Sequence, residues 1–359
     1  MAHLIAAQRT AVIPRGGAFA RLSLEALAVP VLRACLAAAG QEPGQVDEVI
    51  LANALGAGGN PARRVALAAG LSERVAGLTI DRQCAGGLDA ILLARALVDS
   101  GGADVVLAGG VESYSRRPLR LATDPDGGPA VPYDEAPFTP WPDRNPGMAE
   151  AAEALAKRLG IVRAAQDAWA VQSHQKALQA DHSAEITVMA GQARDAFTRA
   201  LTPALAARAP VVTGSITAAT AAVAADAAAV VLVVSDRLAA RYPRSLRIIA
   251  GATRGADPIE PGLAPAVAIR EVWDGTPLRI AEVMEAYAVQ AMAVVAATGL
   301  DARIVNPGGG ALARGHPIGA SGAILAVRLF HDLRAGRGLA AIAAAGGLGT
   351  ALLVEASGA

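Results

Sequence analysis

The sequence predicts an α/β fold built from two similar halves. Two segments share one order, strand then helix then buried strand, and each closes on "AGG". Of the 359 residues, 53% are hydrophobic but only 3% aromatic, so alanine and valine must fill the core through close approach of small side chains. Continuous small apolar strands alternating with helical patterns belong to sheets covered on both faces. A duplicated α/β unit is the economical reading.

The first segment starts with the β-rich "LTI" at 78–80. It continues into a helix over about residues 87–99, then through "GGAD" into the strand "VVLAGG" at 105–110. Next, residues 112–146 are rich in Pro, Asp and Gly and lead into the helical patterns "MAEAAEALAKRLG" and "RAAQDAWAVQSHQKALQA". These predict a helical insertion with an irregular approach, seated on the first half. The strand "AAAVVLVVS" at 227–235 returns the chain to the first sheet. The second segment runs from a strand "ARIV" at 302–305 through a glycine-rich loop to a helix over about 319–333. It ends in the strand "AIAAAGG" at 341–347.

Several function classes are excluded by composition. Basic and acidic side chains balance at 32 each, and no basic run interleaves with aromatics, so no nucleic-acid partner is expected. Apolar runs break before the roughly 18 residues a membrane span needs, and residues 1–10 lack the charged head and long apolar centre of a signal peptide. The expected location is cytoplasmic, away from the membrane. Two cysteines, Cys35 and Cys84, and five scattered histidines show neither CxxC nor HxxxH spacing, so neither a disulfide framework nor a metal site is expected. His174 and His182, in or just after a helical stretch, are expected to face solvent. "GAGG" at 56–59 lacks the GxGxxG spacing of a phosphate cradle and reads as a turn.

Two turns carry the chemistry. In "IDRQCAGGLDAI", Cys84 stands where a strand gives way to a helix, and free backbone N–H groups and the helix dipole there favour a thiolate. Gly86 and Gly87 let a carbonyl group approach the backbone. A lone cysteine is also a common packing residue, so this turn alone leaves both readings open. In "NPGGGALARGHPIGASGAI", a glycine-rich loop delivers His316 just ahead of Pro317 and a helix. Pseudo-symmetry would set thiol and imidazole at one interface, as thiol activation requires.

With "NPARRVALAAGL", "CAGGLDAI", "DVVLAGGVES", "QDAWAVQSHQKA", "EAYAVQAMAV" and "NPGGGALARGHPIGASGA" in this order, most of the chain resembles the thiolase family. The resemblance implies a five-layer α-β-α-β-α fold. Residues 1–111 with 223–242 would form the N-terminal half, 112–222 a loop domain over the active site, and 243–359 the C-terminal half. It further implies a homodimer or homotetramer that moves acyl groups between a cysteine and coenzyme A, which acts as substrate with no separate cofactor. By position, Cys84 is the acyl-accepting nucleophile and His316 its base, and the backbone N–H groups of Cys84 and Ala345 form an oxyanion hole. Met148, Ala222, Met284 and Tyr287 fall at substrate-binding positions.

The chain also departs from the family. Ala343, in "AAAGGLG", replaces the second cysteine that deprotonates the α-carbon of a second acyl-CoA. Met284, in "MEAYA", replaces an asparagine that holds an oxyanion-hole water, and a thioether cannot donate a hydrogen bond. Ala222 and Val223 stand at a serine and glycine that contact coenzyme A, and Gly147 at a histidine ahead of Met148. Lys157 and Lys176 are the only lysines, which leaves phosphate contacts mainly to arginine. Three readings follow. In the first, an acyltransferase loads Cys84 from acyl-CoA or an acyl-carrier-protein thioester and passes the group to an acceptor needing no second cysteine. In the second, an impaired thiolase-like subunit serves as structural partner in an acyl-transfer complex. In the third, a decarboxylating ketoacyl synthase uses Asn306 with His316.

Overall fold

The computed structural model describes residues 1–56 and 58–356, so Ala57 of the "GAGG" stretch and residues 357–359 lie outside the described residues. The N-terminal half runs β1 (Ala2–Arg9), α1 (Leu24–Ala39), β2 (Glu48–Ala52), α2 (Pro61–Ala68), β3 (Leu78–Ile80), α3 (Gly86–Asp99) and β4 (Val105–Ser113). An insertion holding α4 (Met148–Leu159) and α5 (Arg163–Gln179) precedes the return strand β5 (Ala225–Ser235). The C-terminal half runs β6 (Leu246–Gly255), α6 (Ala264–Val272), β7 (Leu278–Val283), α7 (Ala288–Thr298), α8 (Ile318–Asp332), β8 (Gly336–Ala344) and β9 (Leu348–Ala356).

Strand order is β3-β2-β4-β5-β1 in the first half and β7-β8-β9-β6 in the second, a mirrored arrangement. β1 and β6 pair antiparallel only at His3 with Arg247 and Leu4 with Leu246, which joins the two sheets at their edges. The period of two along β5 shows how each sheet is covered. Ala227, Ala229, Val231 and Val233 face the central core, whereas Ala228, Val230, Leu232 and Val234 face the outer core with Leu27, Val31 and Leu32 of α1. A third core packs Ile269 of α6 and Val294 of α7 on the other sheet. With α3 and α8 between the sheets, the fold is five-layered, α-β-α-β-α.

The middle layer depends on glycine. A Cβ on Gly87 would lie 2.7 Å from the Ala323 nitrogen and 2.8 Å from the Gly319 oxygen, and one on Gly322 would lie 2.5 Å from the Leu88 nitrogen. The two helices therefore approach backbone to backbone, and every residue from Gly319 to Phe330 is buried.

Three expectations need correction. Residues 302–305 do not form a strand: Asp301 caps a 3-10 turn over Ala302–Ile304, and Val305 alone bridges Ala281. The two "AGG" ends are not equivalent. Gly110 lies within β4, where the α8 start leaves no room for a side chain, while Gly346 and Gly347 turn the chain between β8 and β9 at φ 81° and 75°. His174 and His182 do not face solvent. His174 is fully buried and accepts from the Arg199 N–H, and burial draws its pKa down to about 4. His182 Nδ1 accepts from Arg328 and its Nε2 donates to the Gly308 carbonyl, because the chain after α5 folds back beneath the C-terminal half. That return is anchored by Arg9, fully buried in β1, which pairs with Glu185 and Asp195.

Candidate active site

Cys84 sits in a 3-10 turn, Gln83–Ala85, directly ahead of α3. Gln83 holds a left-handed φ of 48°, unusual for a residue with a side chain, and Asp81 stabilises it by accepting the Gln83 N–H at 2.9 Å. The turn aims the thiol away from α3 toward the other half. His316 arrives on the loop before α8, where its N–H donates to the Val223 carbonyl at 2.7 Å. Nε2 of His316 lies 3.1 Å from Sγ of Cys84. Its Nδ1 lies 2.7 Å from Oγ of Ser321, whose hydroxyl donates to the Pro317 carbonyl. That hydroxyl proton is committed, so Nδ1–H must be the donor to Ser321 and Nε2 keeps its lone pair toward the thiol.

Burial dominates the electrostatics of the pair. It pushes the thiol up to about 12, against the N–H groups of Cys84 and Ala345, which pull the other way; Glu112 and Asp81 raise it further. Burial also draws the imidazole down to about 4, with Arg314 adding to the effect. The helix-start thiolate expected at this turn is thus corrected to a neutral thiol beside a neutral imidazole, because desolvation outweighs the local dipoles.

Two buried carboxylates hold the framework. Glu112 accepts from the Ala54, Leu55 and Gly319 N–H groups and from Asn53, tying the end of β2 to the start of α8. Glu285 accepts from Trp169, Ser173, Asn306 and the Leu312 N–H, tying α5 to the loop that carries His316. Beside Cys84 opens a cavity of about 220 Å³, and Met148, Ala222, Tyr287, His316, Ala343 and Ala345 lie on its wall. Among the described residues, no group of three or more His, Cys, Asp or Glu side chains is placed to hold a metal ion, and no helix is long and apolar enough to cross a membrane.

Comparison with known proteins matches residues 2–237 to the model of the thiolase N-terminal domain and 243–356 to that of the thiolase C-terminal domain. The chain belongs to the thiolase family. An acetyl-CoA acetyltransferase of Cupriavidus necator is 36% identical, covering 98% of each chain. The crystal structure of the Bacillus anthracis acetyl-CoA acetyltransferase superposes with a TM-score of 0.91 at 34% identity, over 99% of this chain and 98% of that one. A thiolase from Ascaris suum, solved in complex with coenzyme A, gives the same TM-score at 27% identity over 99% of both chains.

Within this thiolase, the sequence-derived residues separate into two groups. Cys84, Met148, Ala222, Tyr287, His316, Ala343 and Ala345 surround one cavity. Met284 does not: it is 1% exposed and packs in the central core, where the end of β7 turns it away from the cavity. Asn306 is also absent from the wall, because its amide is committed to the Val283 backbone and Glu285. The thiolase cavity holds four further polar residues that sequence reasoning missed: Gln83, Tyr114, Glu135 and Gln290. Tyr114 follows directly after "GGVES", a placement that could have marked it. Glu135 lies in irregular chain without periodicity.

Proposed function

We propose that this thiolase-family acyltransferase forms an acyl thioester on Cys84 and passes the acyl group to an acceptor that needs no α-carbon deprotonation. The contact of 3.1 Å between Nε2 and Sγ carries this reading. As Sγ attacks a thioester carbonyl, Nε2 takes the thiol proton, so the neutral pair reacts without a standing thiolate. The carbonyl oxygen gathers charge facing the N–H groups of Cys84 and Ala345. The departing thiol then recovers the proton from His316. The names of the relatives make acetyl-CoA the first donor to try, with longer acyl-CoAs and carrier-protein thioesters beside it.

Ala343 sets the limit of the reaction. A methyl group on the cavity wall cannot take a proton from carbon, and losing such a base removes roughly a hundred- to ten-thousand-fold in rate. Carbon–carbon condensation is accordingly slow, while acylation of Cys84 is left intact. Intact-mass measurement after mixing with acetyl-CoA tests this: wild type should gain one acyl group and Cys84→Ala none. Absence of any adduct across acetyl-CoA, longer acyl-CoAs and acyl-carrier-protein thioesters would overturn the reading in favour of a structural subunit.

A further inference from the structure

Ala343 leaves the acyl group on Cys84 without an obvious acceptor, and the rest of the cavity wall speaks to that acceptor's chemistry. No lysine or arginine among the described residues lines the cavity, whereas exposed Glu135 does. Among the described residues, Glu135 forms neither an ion pair nor a hydrogen bond with the protein, and neither do the hydroxyls of Tyr114 and Tyr287. Carboxylate, phenols and thiol lie on the wall of one cavity, with Glu135 at its exposed edge and the Arg117 guanidinium 5.7 Å from the centroid of the Tyr114 ring. Gln290 is 3% exposed; its Oε1 accepts from the Ala286 N–H, while Nε2 is buried on the cavity wall with no partner. A buried amide donor without a protein partner is completed by an oxygen of a bound molecule or of an ordered water.

Building on the acyl-enzyme reading, we propose that the acceptor is a primary amine, bound through Glu135 and the two tyrosine hydroxyls, and that the product is an amide. A carboxylate and two phenol oxygens on one cavity wall suit an ammonium ion, and because Arg117 already stacks on Tyr114 the cation–π contact falls to Tyr287. A free amine is already a nucleophile, so the base lost at Ala343 is not needed. The amine binds as ammonium beside Glu135 and loses one proton to solvent. Its lone pair attacks the acyl carbon, forming the C–N bond, and the C–S bond breaks. The second N–H proton reaches Sγ through Nε2 of His316, which restores the thiol. Gln290 donates to an oxygen of the bound molecules.

The test starts from acyl-enzyme, so loading and discharge are read separately. Wild type, Glu135→Gln and Tyr287→Phe proteins are loaded with acetyl-CoA, freed of coenzyme A by gel filtration, and mixed with n-butylamine, 1-butanol or 1-butanethiol. Intact mass follows loss of the adduct, and small-molecule mass spectrometry follows the product. Saturable discharge by butylamine to N-butylacetamide is expected, with Glu135→Gln slower by about tenfold and Tyr287→Phe slower too. Discharge by butanol or butanethiol as fast as by butylamine would overturn the proposal. Non-saturable amine discharge that is equal in all three proteins would also overturn it, because that is the spontaneous reaction. Failure to load wild type at all would overturn the acyl-enzyme reading, and the amine proposal with it.

Discussion

Ser321 fixes the tautomer of His316, and burial holds both members of the Cys84–His316 pair neutral; together these determine how the thiol responds to pH. In an ion pair the thiol value would be the low one and the imidazole value raised, so thiolate would be fully formed between them. In a neutral pair the thiolate fraction keeps growing toward about 12. With His316→Ala, where no imidazole takes the proton as Sγ attacks, alkylation of Cys84 by iodoacetamide should therefore rise about tenfold per pH unit from pH 6 to 9, whereas wild type is faster and level over that range. A plateau in His316→Ala across that range, measured by mass, would show a thiolate already formed by the backbone N–H groups alone. Cys35 should stay unmodified, since it is fully buried and burial raises its pKa far above the ordinary thiol value. Cys84 and His316 were legible because glycine and proline punctuate their turns in a recognisable order. Glu135, Tyr114 and Gln290 were not, since they converge from an irregular loop, a strand end and a helix. Met284 and Asn306 were misread because adjacency to a motif does not say which way a side chain points at a strand end.

Among the elements, β7 raises a stability question of its own. Both carboxylate oxygens of Glu282 are buried without a hydrogen-bond partner, and burial pushes its pKa up to about 7 despite Arg328 and Arg314 nearby. Because the folded value lies above the unfolded one, protonation favours the folded state. Stability from this group is complete below its ordinary value near 4.5, and is lost as pH rises through about 7. Glu185 and Asp195, paired with Arg9, behave oppositely: their pKa values are lowered, so their contribution is lost in acid. Comparing wild type with Glu282→Gln isolates the first effect. The variant should gain stability relative to wild type between pH 5 and 8 in urea melts. A constant difference across that range would mean that Glu282 does not titrate there. Sequence periodicity located the helices and long strands well, because each is a sustained pattern. It misassigned 302–305, where Asp301 and Arg303 favour a local turn over strand pairing, and it missed that α5 buries His174.

At the scale of the whole molecule, the reactive pair exists only because the two halves meet. Cys84 precedes α3 of one half, His316 precedes α8 of the other, and these helices touch through glycine. The duplication was legible from repeated strand-helix-strand order, but the closeness of the middle layer was not, since a glycine in a sequence does not name the backbone it faces. Gly87→Ala puts this coupling to the test. Its methyl would meet the Ala323 nitrogen at 2.7 Å and the Gly319 oxygen at 2.8 Å, both backbone atoms with no rotamer to yield. Relief requires α3 and α8 to separate, and overpacking of this kind costs about 1–3 kcal/mol. The same movement lengthens the contact between Nε2 and Sγ, and a shift of about 1 Å at reacting groups can cost roughly a hundredfold in rate. Gly87→Ala should therefore lower the melting temperature and slow acylation of Cys84 together. An added methyl at exposed Gly44, in the 3-10 turn Pro43–Gln45 after α1, meets nothing within 4 Å and should change neither. Acylation at the wild-type rate in a destabilised but folded Gly87→Ala protein would show that the middle layer supports the fold without setting the distance between thiol and imidazole.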